Sequence, residues 1–243
     1  MTIEFKNVKK NYFKNVINFK TFINDIFNSF KNNKRQQNKI TALDIENLLI
    51  NNGTILGMIG PNGAGKSTFC KLLSRVTLPT TGQIIYEGKV ISLLEVNAGF
   101  HEQLTGLENI YLRGSILGMK KREIDNQLEN IIQFSELSDY IMTPVKRYST
   151  GMCVKLGFAI GLHLNNDILI CDESLAVSDE KFKNKCIKYL KERYDRSKIL
   201  IFVSHDLELL SKLCNRIIVF DHGKIIKDSM KVQEEIYNYQ NNK

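Results

Sequence analysis

The chain has 243 residues, 43% of them apolar and 25% charged, with only 3 Pro, which excludes a disordered protein and supports one domain, or one domain plus a subdomain, around a real core. Its longest apolar stretches, such as ILIFV at Ile199–Val203, fall far short of the ~18–20 residues that span a bilayer, and the opening MTIEFKNVKK lacks an apolar signal-peptide core. Five scattered cysteines form no CxxC pair, so buried thiols are expected in place of a zinc or redox site, and the formal charge of +8 fits nucleic acid, an anionic membrane or a merely solvated basic surface equally.

Along the chain, TIEFKNV alternates as a strand. A basic, amide-rich insertion at about residues 15–39 follows. Within it Phe19, Phe22, Ile23, Ile26, Phe27 and Phe30 recur at spacings of three and four, the stripe of an amphipathic helix. It reads as a surface helix packed on the domain or as a docking helix for a membrane or membrane subunit. ALDIENLLINNG and TILGMIG read as strand, turn and strand, and TFCKLLSRV as a helix. DILICDE, KILIFVSH and RIIVFD are further strands separated by helical stretches. Strands alternating with helices predict an α/β fold with a mostly parallel sheet. Between Thr105 and Leu137 the strand signals vanish, and TGLEN has the Thr-x-x-Glu form of a capping box. The expected organisation is a single domain over 1–243. Its core covers about 1–104 and 160–243 and includes an antiparallel β part, while about 105–159 forms an inserted helical subdomain. NYQNNK reads as a polar tail.

GPNGAGKST comprises Gly60, Pro61, Asn62, Gly63, Ala64, Gly65, Lys66, Ser67 and Thr68, and it matches G-x-x-x-x-G-K-[ST] between a strand and a helix. Such a loop turns backbone amides around phosphates; Lys66 supplies a charge near the β and γ groups, and Ser67 offers a hydroxyl to Mg²⁺. ILICDE ends an apolar strand in two acids, which puts Asp172 in reach of Mg²⁺ through water and Glu173 in position to polarise an attacking water; capping a helix is the simpler alternative for the pair. VSHD ends the next strand in the same way, so His205 reaches the same sheet edge as a γ-phosphate sensor. A second phosphate-binding turn, RYSTGM, opens a helix with Ser149 and Gly151.

The order GPNGAGKST, STG, ILICDE, VSH resembles the ATP-binding subunits of ABC transporters over essentially the whole chain. YSTGM in place of the usual LSGGQ, together with LLEVNAGFHEQLTGLENIYL, ESLAVSDEKFKNKC and FVSHDLELLSKLCNRIIVFDHGKI, is similar to the branch that exports polysaccharide, O-antigen or teichoic acid. That resemblance implies a P-loop NTPase fold of ABC ATPase type, an ATP hydrolase with ATP and Mg²⁺, and a homodimer in which Ser149 and Gly151 contact the γ-phosphate held by the partner's loop. It further implies that Tyr12 stacks on adenine and that Asp179 lies in the loop linking the two sites. The expected partner is a separate integral membrane permease that itself contacts the polysaccharide, with no nucleic acid, and the expected location is the cytoplasmic face of the cell membrane. The family's glutamine at the entry to the helical subdomain has no clear counterpart; Glu95, Asn97 and Gln103 are candidates. The chain ends soon after the DHGK turn, so no carbohydrate-binding extension is expected. Two rival readings are an ABC ATPase acting on nucleic acid or ribosomes, and a non-enzymatic, nucleotide-gated scaffold, against which Glu173 argues.

Overall fold

A computed structural model of the protein describes residues 1–13, 39–93, 99–171, 179–193 and 198–241. The stripe over residues 19–30, and with it most of the basic insertion, lies outside the described residues. So do Glu95, Asn97, Asp172 and Glu173.

Two sheets form the frame. The first is antiparallel, in the order β2-β1-β4, from β1 (Thr2–Phe13), β2 (Lys39–Asn51) and β4 (Thr81–Tyr86). The second has the order β5-β6-β7-β3-β8-β9. Its members β3 (Ile55–Ile59), β5 (Val90–Leu93), β6 (Ile168–Cys171), β7 (Ile199–Val203) and β8 (Arg216–Asp221) run parallel, and β9 (Lys224–Ser229) closes the edge antiparallel to β8.

The near-continuous apolar runs of the parallel strands are explained by burial on both faces, since side chains alternate across a strand. Leu200 and Phe202 of β7 join one core, whereas Ile199, Ile201 and Val203 join the other. The second core is roofed by the antiparallel sheet and filled by α1 (Lys66–Leu73). Phe69 of that helix is fully buried and stacks on Phe5 at 4.7 Å, with Phe220 edge-on at 5.8 Å. Truncating such a ring costs ~3–5 kcal/mol, so the helix behind the phosphate loop is firmly seated.

The helical part contains α2 (Gly106–Ile116), α3 (Lys121–Ser135) and α4 (Thr150–His163). The capping box is present: Thr105 accepts from the Glu108 amide, and the Glu108 carboxylate accepts from the Thr105 N–H. Asn109, fully buried, fastens the preceding loop: its Oδ1 accepts from the His101 N–H at 2.8 Å and its Nδ2 faces the carbonyls of His101, Leu104 and Thr105. The chain continues through α5 (Glu180–Arg193), α6 (Leu207–Leu213) and α7 (Val232–Asn241). The last corrects the expected polar tail. NYQN belongs to a helix whose Val232 and Ile236, four residues apart, are buried. No helix among the described residues is long and apolar enough to cross a membrane.

Candidate functional site

The phosphate loop is fixed from several directions. At Gly60, φ is +146° and an added Cβ would lie 2.3 Å from the Phe220 carbonyl oxygen; at Gly65, φ is +111° and a Cβ would lie 2.9 Å from the Ala42 oxygen. Only glycine fits such a backbone against such neighbours. The turn between β8 and β9 completes the clamp, because the Gly223 N–H donates to the Ala64 carbonyl at 2.9 Å while the Gly223 carbonyl accepts from Asp44 at 2.7 Å. The loop is thereby bound to both sheets.

Lys66 is buried, at 7% exposure. Its Nζ donates to the carbonyls of Gly60 at 2.6 Å and Pro61 at 3.0 Å. A buried ammonium gains when a phosphate enters, since charge-assisted hydrogen bonds are roughly twice as strong as neutral ones. In front of the loop lies a cavity of about 310 Å³ lined by residues 62–68 with Val203 and His205. Lys66, Ser67 and His205 all line this one cavity. His205 follows β7, and β7 pairs directly with β3, which leads into the loop. The residue after it, Asp206, caps α6 by accepting from the Leu209 N–H and pairs with Lys183 at 2.5 Å. The Lys183 ammonium holds the Asp206 carboxyl below its ordinary pKa.

The cradle fits phosphate: it offers two glycines that tolerate no side chain, a buried cation and a cavity of suitable size. For Mg²⁺, Ser67 is exposed on the cavity wall, and the second candidate ligand, Asp172, follows directly on Cys171, the end of β6. Among the described residues no cluster of three or more His, Cys, Asp or Glu could hold a metal.

Tyr12 sits near the end of β1 opposite Ile40, two residues before Ala42, whose carbonyl oxygen would meet a Cβ at Gly65. The residue is 42% exposed, with the Lys10 ammonium 5.2 Å from its ring centroid, and it is not among the residues lining the cavity. Gln103 is exposed and accepts from Lys146 at 3.1 Å; it too is absent from the cavity wall.

The turn Ser149 to Gly151 stands apart. Ser149 is the N-cap of α4 and accepts from the Met152 N–H at 3.2 Å. The preceding Tyr148 anchors the turn by donating from its hydroxyl to the Tyr140 carbonyl at 2.8 Å, and burial pushes its phenol up to about 12. Ser149 and Thr150 are exposed. A Cβ at Gly151 would meet nothing nearer than the Ser149 Oγ at 3.8 Å, so the fold of this chain does not require glycine there. None of these residues lines the cavity of the phosphate loop.

Sequence reasoning missed a charged junction behind this turn. Lys155 Nζ lies 2.6 Å from Asp179 and 3.1 Å from Glu136. Burial opposes the charge on Lys155, but the two carboxylates outweigh it and hold the ammonium above its ordinary value. Asp179 is also the residue whose Oδ1 accepts from the Phe182 N–H at the start of α5. No local spacing announces a pair 24 positions apart, so only the fold reveals it.

A family model described as ABC transporter matches residues 43–176. The chain is 41% identical over 187 residues to the O-antigen export system ATP-binding protein RfbB of Klebsiella pneumoniae, with 77% of this chain and 76% of that protein covered. It is 44% identical over 176 residues to the teichoic acids export ATP-binding protein TagH of Listeria monocytogenes, with 72% of this chain and 52% of that protein covered. The chain thus spans about half to three quarters of the length of these curated relatives. Its fold is that of a solved ATP-binding cassette, in a dimeric post-hydrolysis state bound to ADP and Pi, at a TM-score of 0.74 and 22% identity over 93% of this chain and 97% of the other.

Proposed function

The chain belongs to the ABC transporter family, and from that premise we propose that it binds and hydrolyses ATP to drive export of a lipid-linked polysaccharide through a separate membrane permease. The observation that carries the ATPase reading is the shared cavity of Lys66, Ser67 and His205 at the ends of two adjacent parallel strands. The choice of cargo rests on the O-antigen and teichoic acid export roles in the names of the relatives.

In this reading residues 60–68 wrap the phosphates, Lys66 turns from the Gly60 and Pro61 carbonyls to the β and γ groups, and Ser67 and Asp172 would hold Mg²⁺, which would supply charge neutralisation at the phosphates. Glu173 polarises the attacking water and His205 contacts the γ-phosphate. Tyr12 supplies an aromatic face for adenine. The exposed turn at Ser149 and Gly151 serves the nucleotide of a second copy, because it is absent from the cavity of its own chain. The protein then works as a homodimer on the cytoplasmic face of the membrane, with the basic insertion at residues 15–39 helping to hold it there.

Glu173→Gln tests the hydrolytic assignment. The amide is nearly isosteric, so ATP binding should persist while turnover falls by about two orders of magnitude or more, and the same variant in cells should deplete the surface glycan. Wild-type ATP hydrolysis by Glu173→Gln removes the assignment; wild-type glycan display by a variant dead in hydrolysis removes the transport reading.

A further inference from the structure

Tyr12 owes its outward position to a bulge. Val8 is buried, and strict alternation along β1 would carry Tyr12, four positions on, to the same face. The register of β1 against β2 shifts between Lys10 and Asn11, and an irregularity of this kind re-aims the side chains beyond it. Asn11 is thereby turned inward, at 9% exposure, and Tyr12 outward.

The bulge is pinned by the segment that runs from the end of α1 into β4. The Thr80 N–H donates to the Lys9 carbonyl at 2.7 Å, and the Asn11 N–H donates to the Thr80 hydroxyl at 3.0 Å. From the inner side, Asn11 Oδ1 accepts from the Thr41 hydroxyl at 3.0 Å. Lys10 Nζ donates to the Leu78 carbonyl at 2.8 Å, and the same ammonium lies over the Tyr12 ring. One face of that ring is therefore covered by a tethered cation. Tyr12 stands opposite Ile40, two residues and so about 7 Å along β2 from Ala42 beside the phosphate loop, a span that one ribose covers.

We propose that Lys10 is a positioning residue for the nucleobase: tethered to Leu78 and lying over one face of Tyr12, it holds the ring still and commits the base to the opposite face. The inference rests on the reading of Tyr12 as the adenine platform. An exposed tyrosine surrenders rotamer freedom when a base stacks on it, and a ring already held has less to lose. The attraction between an ammonium and an aromatic face keeps the lysine on its own side of the ring. Lys10 is absent from the wall of the phosphate cavity, so its effect belongs to the base and not to the phosphates.

The experiment uses the full chain and measures how well ATP and magnesium tripolyphosphate each displace a fluorescent ATP analogue; the ratio of the two affinities isolates what the nucleoside contributes. Tyr12→Ala should lower that ratio about fivefold or more, the order of one base–aromatic stack. Lys10→Ala should lower it by about two- to tenfold, the cost of immobilising one side chain, with tripolyphosphate affinity unchanged. Lys10→Arg keeps a donor and a cation over the ring and should restore the ratio. In the double variant of Tyr12→Ala with Lys10→Ala, the second change should cost nothing further. Thr80→Val removes the acceptor of the Asn11 N–H and should lower the ratio in the same direction; if Lys10→Ala does not fold, Thr80→Val decides alone. Tripolyphosphate affinity that falls in step with that for ATP in Lys10→Ala, or losses that add in the double variant, overturn the proposal. A control separates it from its premise. Should Tyr12→Ala itself keep the wild-type ratio, the adenine platform and this inference fall together; should Tyr12→Ala lower the ratio while Lys10→Ala and Thr80→Val leave it as in the wild type, only the inference falls.

Discussion

The loop at residues 60–68 and the turn at residues 148–152 both offer backbone amides at the start of a helix, but they are built to opposite specifications. Behind the loop the space is filled: Phe220 lies behind Gly60 and Ala42 behind Gly65, the Gly223 amide donates to Ala64, and Lys66 is buried and folded inward. Around the turn, Ser149 and Thr150 face solvent and the space above Gly151 is open. Glycine at residue 60 is demanded by this chain, whereas glycine at residue 151 is demanded by nothing within it. A residue left small with no internal reason points outward, to whatever approaches the turn.

The largest effect should separate the two glycines. Gly60→Ala forces a Cβ into the Phe220 carbonyl and should cost about 3 kcal/mol or more of stability, read by urea unfolding, while Gly151→Ala should change stability by less than about 1 kcal/mol. Comparable losses at both positions would dissolve the contrast. A smaller effect is expected at Asn109, which closes the loop ahead of α2. Asn109→Ala leaves buried backbone groups unpaired and should cost about 2 kcal/mol, again by urea unfolding, with nucleotide affinity unaltered. Ser149→Ala removes the N-cap of α4 and should cost about 1 kcal/mol, also without changing nucleotide binding by the monomer; weakened binding would bring the turn back into its own chain's site.

The smallest effect is a dependence on pH. His163, at the inner end of α4, is buried beside Phe134 and Tyr189 and donates from Nδ1 to the Ala159 carbonyl at 2.8 Å. Burial holds its pKa below the ordinary 6.5, with the cations of Arg193 and Lys185 acting in the same direction and the Ala159 bond against it. The unfolded chain therefore takes up a proton first. Stability from neutral His163 is fully present well above pH 6.5 and is lost as pH falls through that value. His163→Phe should flatten that part of the urea-midpoint curve; an equal slope in the variant would assign it to other groups.

Local chemistry was legible in the sequence where spacing alone defines it. The phosphate loop, the Thr105–Glu108 capping box and the apolar strands β3, β6, β7 and β8 follow from residues close together in the chain. The strands β4 and β9 were not foreseen, because TGQIIY and KIIKDS are edge strands whose polar residues face solvent and blur the alternation. The NYQN end of α7 reads as a polar tail because the buried contacts that seat the helix, at Val232 and Ile236, lie before it. Lys155 escaped notice for a different reason: its partners come from α3 and from the start of α5, and long-range pairing of charges leaves no periodic trace.

Whether one ATP is held by Lys66 of one chain and by Ser149 and Gly151 of another is decided in a mixed dimer. One chain carries Lys66→Ala and the other Gly151→Asp, which gathers both lesions into one composite site and leaves the other intact. Each variant alone should be inactive, the first for want of nucleotide and the second because its carboxylate opposes the partner's phosphate. Mixing them should restore part of the wild-type ATP hydrolysis. A mixture as inactive as its parents, with mixed dimers recovered by tags on both chains, would contradict it.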